Sequence, residues 1–303
     1  MLNKIKQNKK LFRLLRYIIP IILVVWMIII NPWQDFADRL ANVPFYLILI
    51  GVAINFGLIF SLKAWRWRIA IPKPPSFFKI YASQLEGQLA NILIGMGVAD
   101  FVRSSRLRKD EEGTFPEDFG TAVADRACEY LSLSILFALS VLTPFVPWYL
   151  IFAPLVYMGI LGLALAKPKF LQDKTKKWPK ANRLVKAIHE SLTTKRMFYM
   201  VLISFLGWLS EVLLIVIMLK ALGLSTGIGL AVLILVAINV AIAIPGPPAN
   251  LGTFETGAII AMTSVGIDNE AALSFALFYH GFHVITTSLV ASLVWFGRNI
   301  FSR

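Results

Sequence analysis

Residues 241–257 read AIAIPGPPANLGTFETG, and the fold turns on how this stretch is understood. An apolar run, VLILVAINVAI, leads into it, and AIIAMT follows it. Between them stand Pro245, Pro247, Pro248, Gly246, Gly252, Gly257, Asn250 and Glu255. Proline lacks an N–H and its ring clashes with the preceding turn, so no helix runs unbroken through 245–248. A broken backbone at membrane depth is tolerated only where protein or a wet cavity satisfies its polar groups. A carboxylate there costs about 2.5–3.5 kcal/mol on insertion scales and is normally paired or turned toward a cavity.

The surroundings are a membrane protein's. The chain has 303 residues, 57% of them hydrophobic and 16% charged, with a mean hydropathy of +0.71. Several apolar runs approach the roughly 20 residues that a helix needs to cross a bilayer. Alternating short segments, the mark of a membrane β-barrel, are not the pattern here. The reading is therefore an all-α integral membrane protein. The first apolar run lacks a small-residue cleavage site, so it is expected to be retained as a span.

The formal net charge is +13. In a membrane chain this reflects Lys and Arg gathered in inner loops and does not point to nucleic acid. The single cysteine, Cys128, rules out an internal disulfide, and with only three histidines no cofactor or metal site is expected.

Taken in order, full spans are expected at 17–30, 45–62, 119–142, 148–166, 198–219 and 271–295, with Trp33 at an interface. The segment KAWRWRIAIPKPPSFFK after the second span reads as the inner interface. Next comes SQLEGQLANILIGMGVAD, too polar and too short for an ordinary span. Gln84, Gln88 and Asn91 stand at i, i+4, i+7, one helix face, and Gly95 and Gly97 offer a turn. Basic residues flank it on both sides, so it is expected to dip in and return as a re-entrant hairpin. Residues 183–192, RLVKAIHESL, read as an amphipathic helix lying on the membrane surface.

With 228–244 and 253–265 as the arms of a second hairpin, 27 of the 30 Lys and Arg fall on one side of the membrane or in the termini. That bias places both termini in the cytoplasm, beside the inner membrane. The expected architecture is six full spans plus two opposed re-entrant hairpins in one transmembrane domain, 1–303. Its halves, about 1–143 and 144–303, each hold two spans, a hairpin and a span in opposite orientation. Inverted repeats with paired broken segments are a transporter architecture, with the site where the breaks meet.

The candidate site follows from the polar residues near those breaks. Arg103, one turn beyond the first hairpin, offers a planar fork suited to phosphate, and Asp100 closes that hairpin. Asp125, Arg126 and Glu129 share one face of a span. They read either as a neutralised cluster holding helices together or as a grip on a headgroup, with two acids to one base unless Arg103 joins. Asn250 and Gly252 are expected to turn backbone N–H groups toward an anion at a helix N-terminus. Glu255 is expected to cap that helix or to pair with Arg126 or Arg103. Gln84, Gln88 and Asn91 are expected to line the path. Glu211 reads as a structural pair, and His280 and His283 as satisfied by carbonyls.

Three motifs carry a resemblance. NILIGMGVADFVR is similar to an N-x-L-x-P/G-x-x-x-G-E-x-x-R segment, with Asp100 in the acid position and Arg103 as the arginine. Asp125, Arg126 and Glu129 resemble an E-R-x-x-D segment with the acids exchanged. Pro248–Glu255 resembles P-G-G-L-G-x-x-E, with Ala249 and Asn250 in place of a glycine pair. In order and spacing these resemble the transmembrane region of lysylphosphatidylglycerol synthases and their stand-alone, flippase-like relatives. The resemblance implies an eight-segment fold that moves amphipathic lipids across the bilayer, without the soluble synthase domain of the fused members. The function it implies is a lipid translocase for a phospholipid or another anionic or aminoacylated headgroup, not an enzyme, running downhill or ion-coupled. Alternatives are an accessory protein docking a lipid-headgroup-modifying enzyme on its basic loop, and an intramembrane glycosyl or aminoacyl transferase component. The partners are membrane lipids, with a lipid-modifying enzyme and a second copy of the chain as further candidates.

Overall fold

The computed structural model describes residues 33–95, 97–107, 114–140, 175–243 and 247–301, and every regular element among them is helical. The expected spans 17–30 and 148–166 lie outside the described residues. Helix α1 (Trp33–Ala41) covers the expected interface position. Helix α2 (Phe45–Ala70) is longer than expected by two turns, because the basic, aromatic segment after residue 62 continues the helix. Within it, Ala53–Ile59 widens into π-helical turns. The carbonyl of Phe56 in those turns accepts hydrogen bonds from Tyr81 Oη at 2.8 Å and Ser61 Oγ at 3.3 Å.

Helices α3 (Phe77–Ile94) and α4 (Val98–Leu107) form the first hairpin, broken at Gly95. Helix α5 (Phe115–Ser140) follows, then α6 (Pro179–Ser191) and α7 (Thr194–Ala221). Helices α8 (Ile228–Ile242) and α9 (Thr253–Thr263) form the second hairpin around a 3₁₀ turn, Pro248–Asn250. Helix α10 (Asn269–Phe301) closes the chain. Among the described residues, long helix, hairpin and long helix thus occur twice, as α2–α5 and as α7–α10.

Each hairpin has a glycine where its arms cross. A Cβ on Gly87 would lie 2.7 Å from the Ala99 carbonyl oxygen, and one on Gly257 would lie 2.8 Å from that of Ala237. Small residues let helices approach closely where lipid tails give no hydrophobic drive to associate. The α2–α5–α7 interface follows the same rule, with Ala64, Ala70, Ala122 and Ala124 fully buried. Outward faces are apolar instead. Leu202, Leu206, Leu209 and Leu213 form an exposed stripe along α7, and Ile285, Leu289, Leu293 and Phe296 form one along α10. Contiguous exposed apolar surface of this kind marks a face that meets something other than water. Three described helices, α2, α7 and α10 up to Arg298, are long and apolar enough to cross a membrane.

Helix α6 is amphipathic as expected, but it packs on protein. Ala187 and Ser191 are buried. A Cβ on Gly120 of α5 would meet Ala187 Cβ at 2.8 Å, and Ser191 Oγ donates to the Ala70 carbonyl at 2.8 Å. At the other end of α10, Arg298 reaches Glu86 of α3 at 3.3 Å, tying the closing helix to the first hairpin.

Candidate functional site

Both hairpins break at one cavity of about 310 Å³. Gly97, Ala99 and Asp100 line it from the first hairpin, and Ala249, Asn250 and Phe254 from the second. The 3₁₀ turn of the second hairpin packs directly against α3. Helices α2, α5, α7 and α10 complete the wall.

Behind the wall lies a buried ion network. Arg66, which the sequence reading assigned to an interface, is buried instead. Its Nε donates to Asp125 Oδ1 at 2.5 Å and its Nη2 to Oδ2 at 3.1 Å, with Nη1 on Ser204 Oγ at 3.1 Å. Arg103 approaches Asp125 from the other side, Nη1 to Oδ2 at 2.8 Å, and donates from Nη2 to the Ala122 carbonyl at 3.1 Å. Its guanidinium also sits 4.5 Å from the centroid of the Trp67 ring, a cation–π contact. Asp125 is 0% exposed, so its charge is stable only because two arginines embrace it. Arg103 and Asp125 therefore hold helices together and do not line the cavity, which corrects the expectation that Arg103 grips phosphate.

Three members of the network do reach the cavity. Arg126 donates from Nε to both oxygens of Asp100, at 3.0 and 3.1 Å, and from Nη1 to Glu129 Oε2 at 2.7 Å. Asp100 also pairs with Arg103 Nη2 at 2.8 Å, and Glu129 with Arg66 Nη2 at 3.2 Å. Three arginines thus balance three acids across α2, α4 and α5. Within this set the Arg126 side chain is the exposed cation, at 34% against 4% for Arg66 and 1% for Arg103.

A second polar group also lines the cavity. Lys63 Nζ lies 3.5 Å from Glu211 Oε1, Tyr279 Oη donates to Glu211 Oε2 at 3.4 Å, and His283 Nε2 is 3.9 Å from the same oxygen. Glu211 is paired, as expected, but Lys63, Glu211 and His283 also line the cavity.

The second hairpin differs from expectation in its partners. Glu255 meets neither Arg126 nor Arg103. Its Oε2 accepts from the Gly252 N–H at 2.8 Å, capping α9 as anticipated, while Oε1 lies 2.6 Å from His280 Nδ1. The Gly252 N–H is thereby used, and the Asn250 N–H donates to the Pro247 carbonyl at 3.1 Å, so neither is presented to an anion as expected. His280 Nε2 lies 2.9 Å from the Ala249 carbonyl oxygen, so one ring nitrogen is satisfied by a carbonyl as read and the other by a carboxyl group. Ala249 and Asn250, at the positions of the family's glycine pair, adopt positive φ of 56° and 58°.

Of the amide stripe, Gln88 and Asn91 line the cavity, whereas Gln84 donates to the Lys63 carbonyl at 3.3 Å and stitches α3 to α2. Sequence reasoning passed over Asn55. It is 1% exposed, sits in the π-helical turns and lines the cavity, and its Nδ2 has no partner. Asn250 Oδ1, on the facing hairpin, is likewise unpartnered. Orphaned buried polar atoms call for an unseen partner, and π-helical turns recur at functional sites. Lys63, Arg66 and Trp67 at i, i+3, i+4 were the available signal that this end of α2 turns inward. Among the described residues, no group of three or more His, Cys, Asp or Glu side chains is placed to hold a metal ion.

Apolar outer faces, interrupted inner helices and a charged cavity between them define a multi-pass helical membrane protein. The chain belongs to the family of the lysylphosphatidylglycerol synthase TM region, whose model matches residues 13–291. That membership ties it to lipid modification or flipping. The chain has no significant match among curated proteins or among solved structures.

Proposed function

We propose that this protein is a lipid translocase, moving a phospholipid or another anionic or aminoacylated lipid by passing its headgroup through the cavity while the tails stay in the bilayer. The observation that carries the reading is a polar cavity at the tips of two broken segments, enclosed by helices whose outer faces are apolar. A headgroup needs such a place, because charge is costly at bilayer depth unless protein groups replace its water. Arg126 supplies a cation for phosphate, and Lys63 lines the same cavity. The unpartnered Asn55 Nδ2 and Asn250 Oδ1 supply a donor and an acceptor for the rest of the headgroup. Arg66, Arg103 and Asp125 position the others.

In this reading the hairpins α3–α4 and α8–α9 are re-entrant, entering from opposite leaflets to meet tip to tip. The two described units, long helix–hairpin–long helix, are the cores of an inverted repeat. Six full spans and two hairpins in the cytoplasmic membrane, with both termini inside, fit the distribution of Lys and Arg.

The test is headgroup accessibility in proteoliposomes of phosphatidylglycerol and phosphatidylcholine. Wild type is expected to bring inner-leaflet headgroups to an external reagent faster than empty vesicles, and Arg126→Ala to abolish the gain. Equal rates for wild type and Arg126→Ala overturn the assigned role.

A further inference from the structure

We propose that His280 and Glu255 form a proton-binding site in the cavity wall, and that a proton bound there clasps the second hairpin and couples lipid movement to a proton gradient. The coupling rests on the translocase reading; the proton site does not.

The hydrogen-bond inventory requires the proton. His280 Nε2 lies 2.9 Å from the Ala249 carbonyl oxygen, which only accepts, so Nε2 carries a hydrogen. A neutral ring protonated there has a lone pair on Nδ1. That lone pair faces Glu255 Oε1 at 2.6 Å, and a carboxylate oxygen also only accepts. Two acceptors do not approach so closely without a hydrogen between them. The pair therefore holds one proton more than a neutral histidine and an ionised glutamate, whether nitrogen or oxygen carries it. The site is enclosed: the two side chains are 6% and 4% exposed, and Phe254 stacks on the imidazole at 4.3 Å. His280 nevertheless borders the cavity, which gives the proton a route.

The neighbouring charges leave the proton as the counter-charge of Glu255. Among the described residues no Lys or Arg lies within ion-pair distance of it. Lys63 of α2 is matched with Glu211 of α7, and His283, one turn along α10, faces that same acid. Arg126, Glu129 and Asp100, from α5 and α4, are engaged with one another. Helix α3 turns neutral Gln88 and Asn91 to the cavity, and α8 turns Asn239. Glu86 of α3 is taken by Arg106 and Arg298. The turn 248–250 carries no titratable side chain, and α1 sends no described residue into the cavity.

The proton sits where it controls the hairpin. It joins α10 to the Ala249 carbonyl through the ring, and to the Gly252 N–H through Glu255 Oε2 at 2.8 Å. Ala249 and Asn250 occupy the left-handed region, disfavoured for residues with a Cβ, so the turn is held in place by its contacts. When the proton leaves, the neutral ring keeps one N–H for two acceptors, Glu255 Oε1 and the Ala249 carbonyl, so one of these contacts is lost and the strained turn is held less tightly by α10. Asn250 and the turn's packing on α3 then change together, reshaping the cavity where the headgroup passes.

The test reads proton and lipid separately. In nanodiscs of phosphatidylglycerol and phosphatidylcholine, nitrogen NMR of histidine-labelled protein at neutral pH is expected to show both His280 ring nitrogens in hydrogen bonds that share an extra proton. Glu255→Gln, whose amide donates to Nδ1, is expected to return a neutral ring in a folded protein. If wild type and Glu255→Gln give the same neutral-ring spectrum, the proton site is overturned, whatever the lipids do. In vesicles, wild type is expected to move headgroups at a rate set by an imposed pH gradient, with proton entry read by a trapped dye. Headgroup movement indifferent to the gradient overturns the coupling. The shared-proton spectrum without any lipid movement supports the proton site and overturns the translocase reading instead.

Discussion

Arg126 Nε lies 3.0 Å and 3.1 Å from the two carboxylate oxygens of Asp100, so a side chain of α5 holds the first turn of the helix that follows the break in the first hairpin. The same guanidinium faces the cavity, so it both shapes the site and is available to a ligand. Arg66 and Arg103, of equal charge and in the same network, have only the first of these roles.

This division predicts different failures. Arg66→Ala or Arg103→Ala leaves Asp125 buried without one of its partners, a loss of about 3–5 kcal/mol for a broken buried pair. Both variants are expected to melt well below wild type or to be lost on purification in detergent. Arg126→Ala removes a partly exposed cation from two acids, but Asp100 keeps Arg103 and Glu129 keeps Arg66, so it is expected to cost less than either of the other two. It should purify as a folded protein that does not move lipid. Thermal melts of the three, run side by side, check the ranking.

The glycines at the arm crossings give a second prediction. A methyl on Gly257 would come within 2.8 Å of the Ala237 carbonyl oxygen and the Ile238 Cα, both backbone atoms that cannot step aside. Gly257→Ala is expected to force α8 and α9 apart and to destabilise by about 1–3 kcal/mol, the usual range for overpacking. Gly87→Ala, against the Ala99 carbonyl at 2.7 Å, is expected to do the same to the first hairpin. Gly207, with nothing near its Cβ position, is the control, and Gly207→Ala should melt with wild type or above it.

Ala249 predicts a gain. Its φ of 56° costs an L-residue with a Cβ roughly 1–2 kcal/mol, a penalty that glycine escapes. Ala249→Gly is expected to raise the melting temperature or leave it unchanged, since a more flexible unfolded chain offsets part of the gain. Asn tolerates this region better, so Asn250→Gly should gain less. A fall in melting temperature for Ala249→Gly would show that the strained turn is not as described.

Cys128 is 1% exposed, packed among the core residues of α2, α5 and α7, and absent from the cavity wall. It therefore cannot report on water in the cavity. A water-soluble maleimide is expected to leave it unmodified in the folded protein and to label it fully in denaturant. Labelling in the folded state would place this face of α5 elsewhere.

Much of the architecture was legible because breaks are local. Prolines 245, 247 and 248 and glycines 95 and 97 interrupt helices whatever surrounds them, and both interruptions fall where the sequence put them. The acidic cluster on α5 was also visible, and its excess of acid over base pointed to missing cations. What escaped depends on helix phase and tertiary partners. Arg66 lies in a segment whose composition resembles an interface, and only its phase beside Lys63 and Trp67 turns it inward. Gln84 shares a sequence stripe with Gln88 and Asn91, yet α2 passes close enough to take its amide. The sequence offers Glu255 either the cap of α9 or an arginine partner, and the cap is what forms. The capping geometry of α9 aims it at α10 instead, where a histidine waits. Asn55 gave no sign in an apolar run, because its meaning lies in the π-helical turns around it.

The central claim is that the cavity between the two broken segments receives a lipid headgroup. The most direct measurement is a structure of the full chain in nanodiscs of phosphatidylglycerol and phosphatidylcholine, at a resolution that separates a phosphate from its surroundings. The account predicts phosphate density within hydrogen-bonding distance of the Arg126 guanidinium, with Asn55 and Asn250 at the edge of the same headgroup. Phosphate density confined to the outer rims of the protein, with the cavity closed to lipid in both wild type and Arg126→Ala, would contradict it.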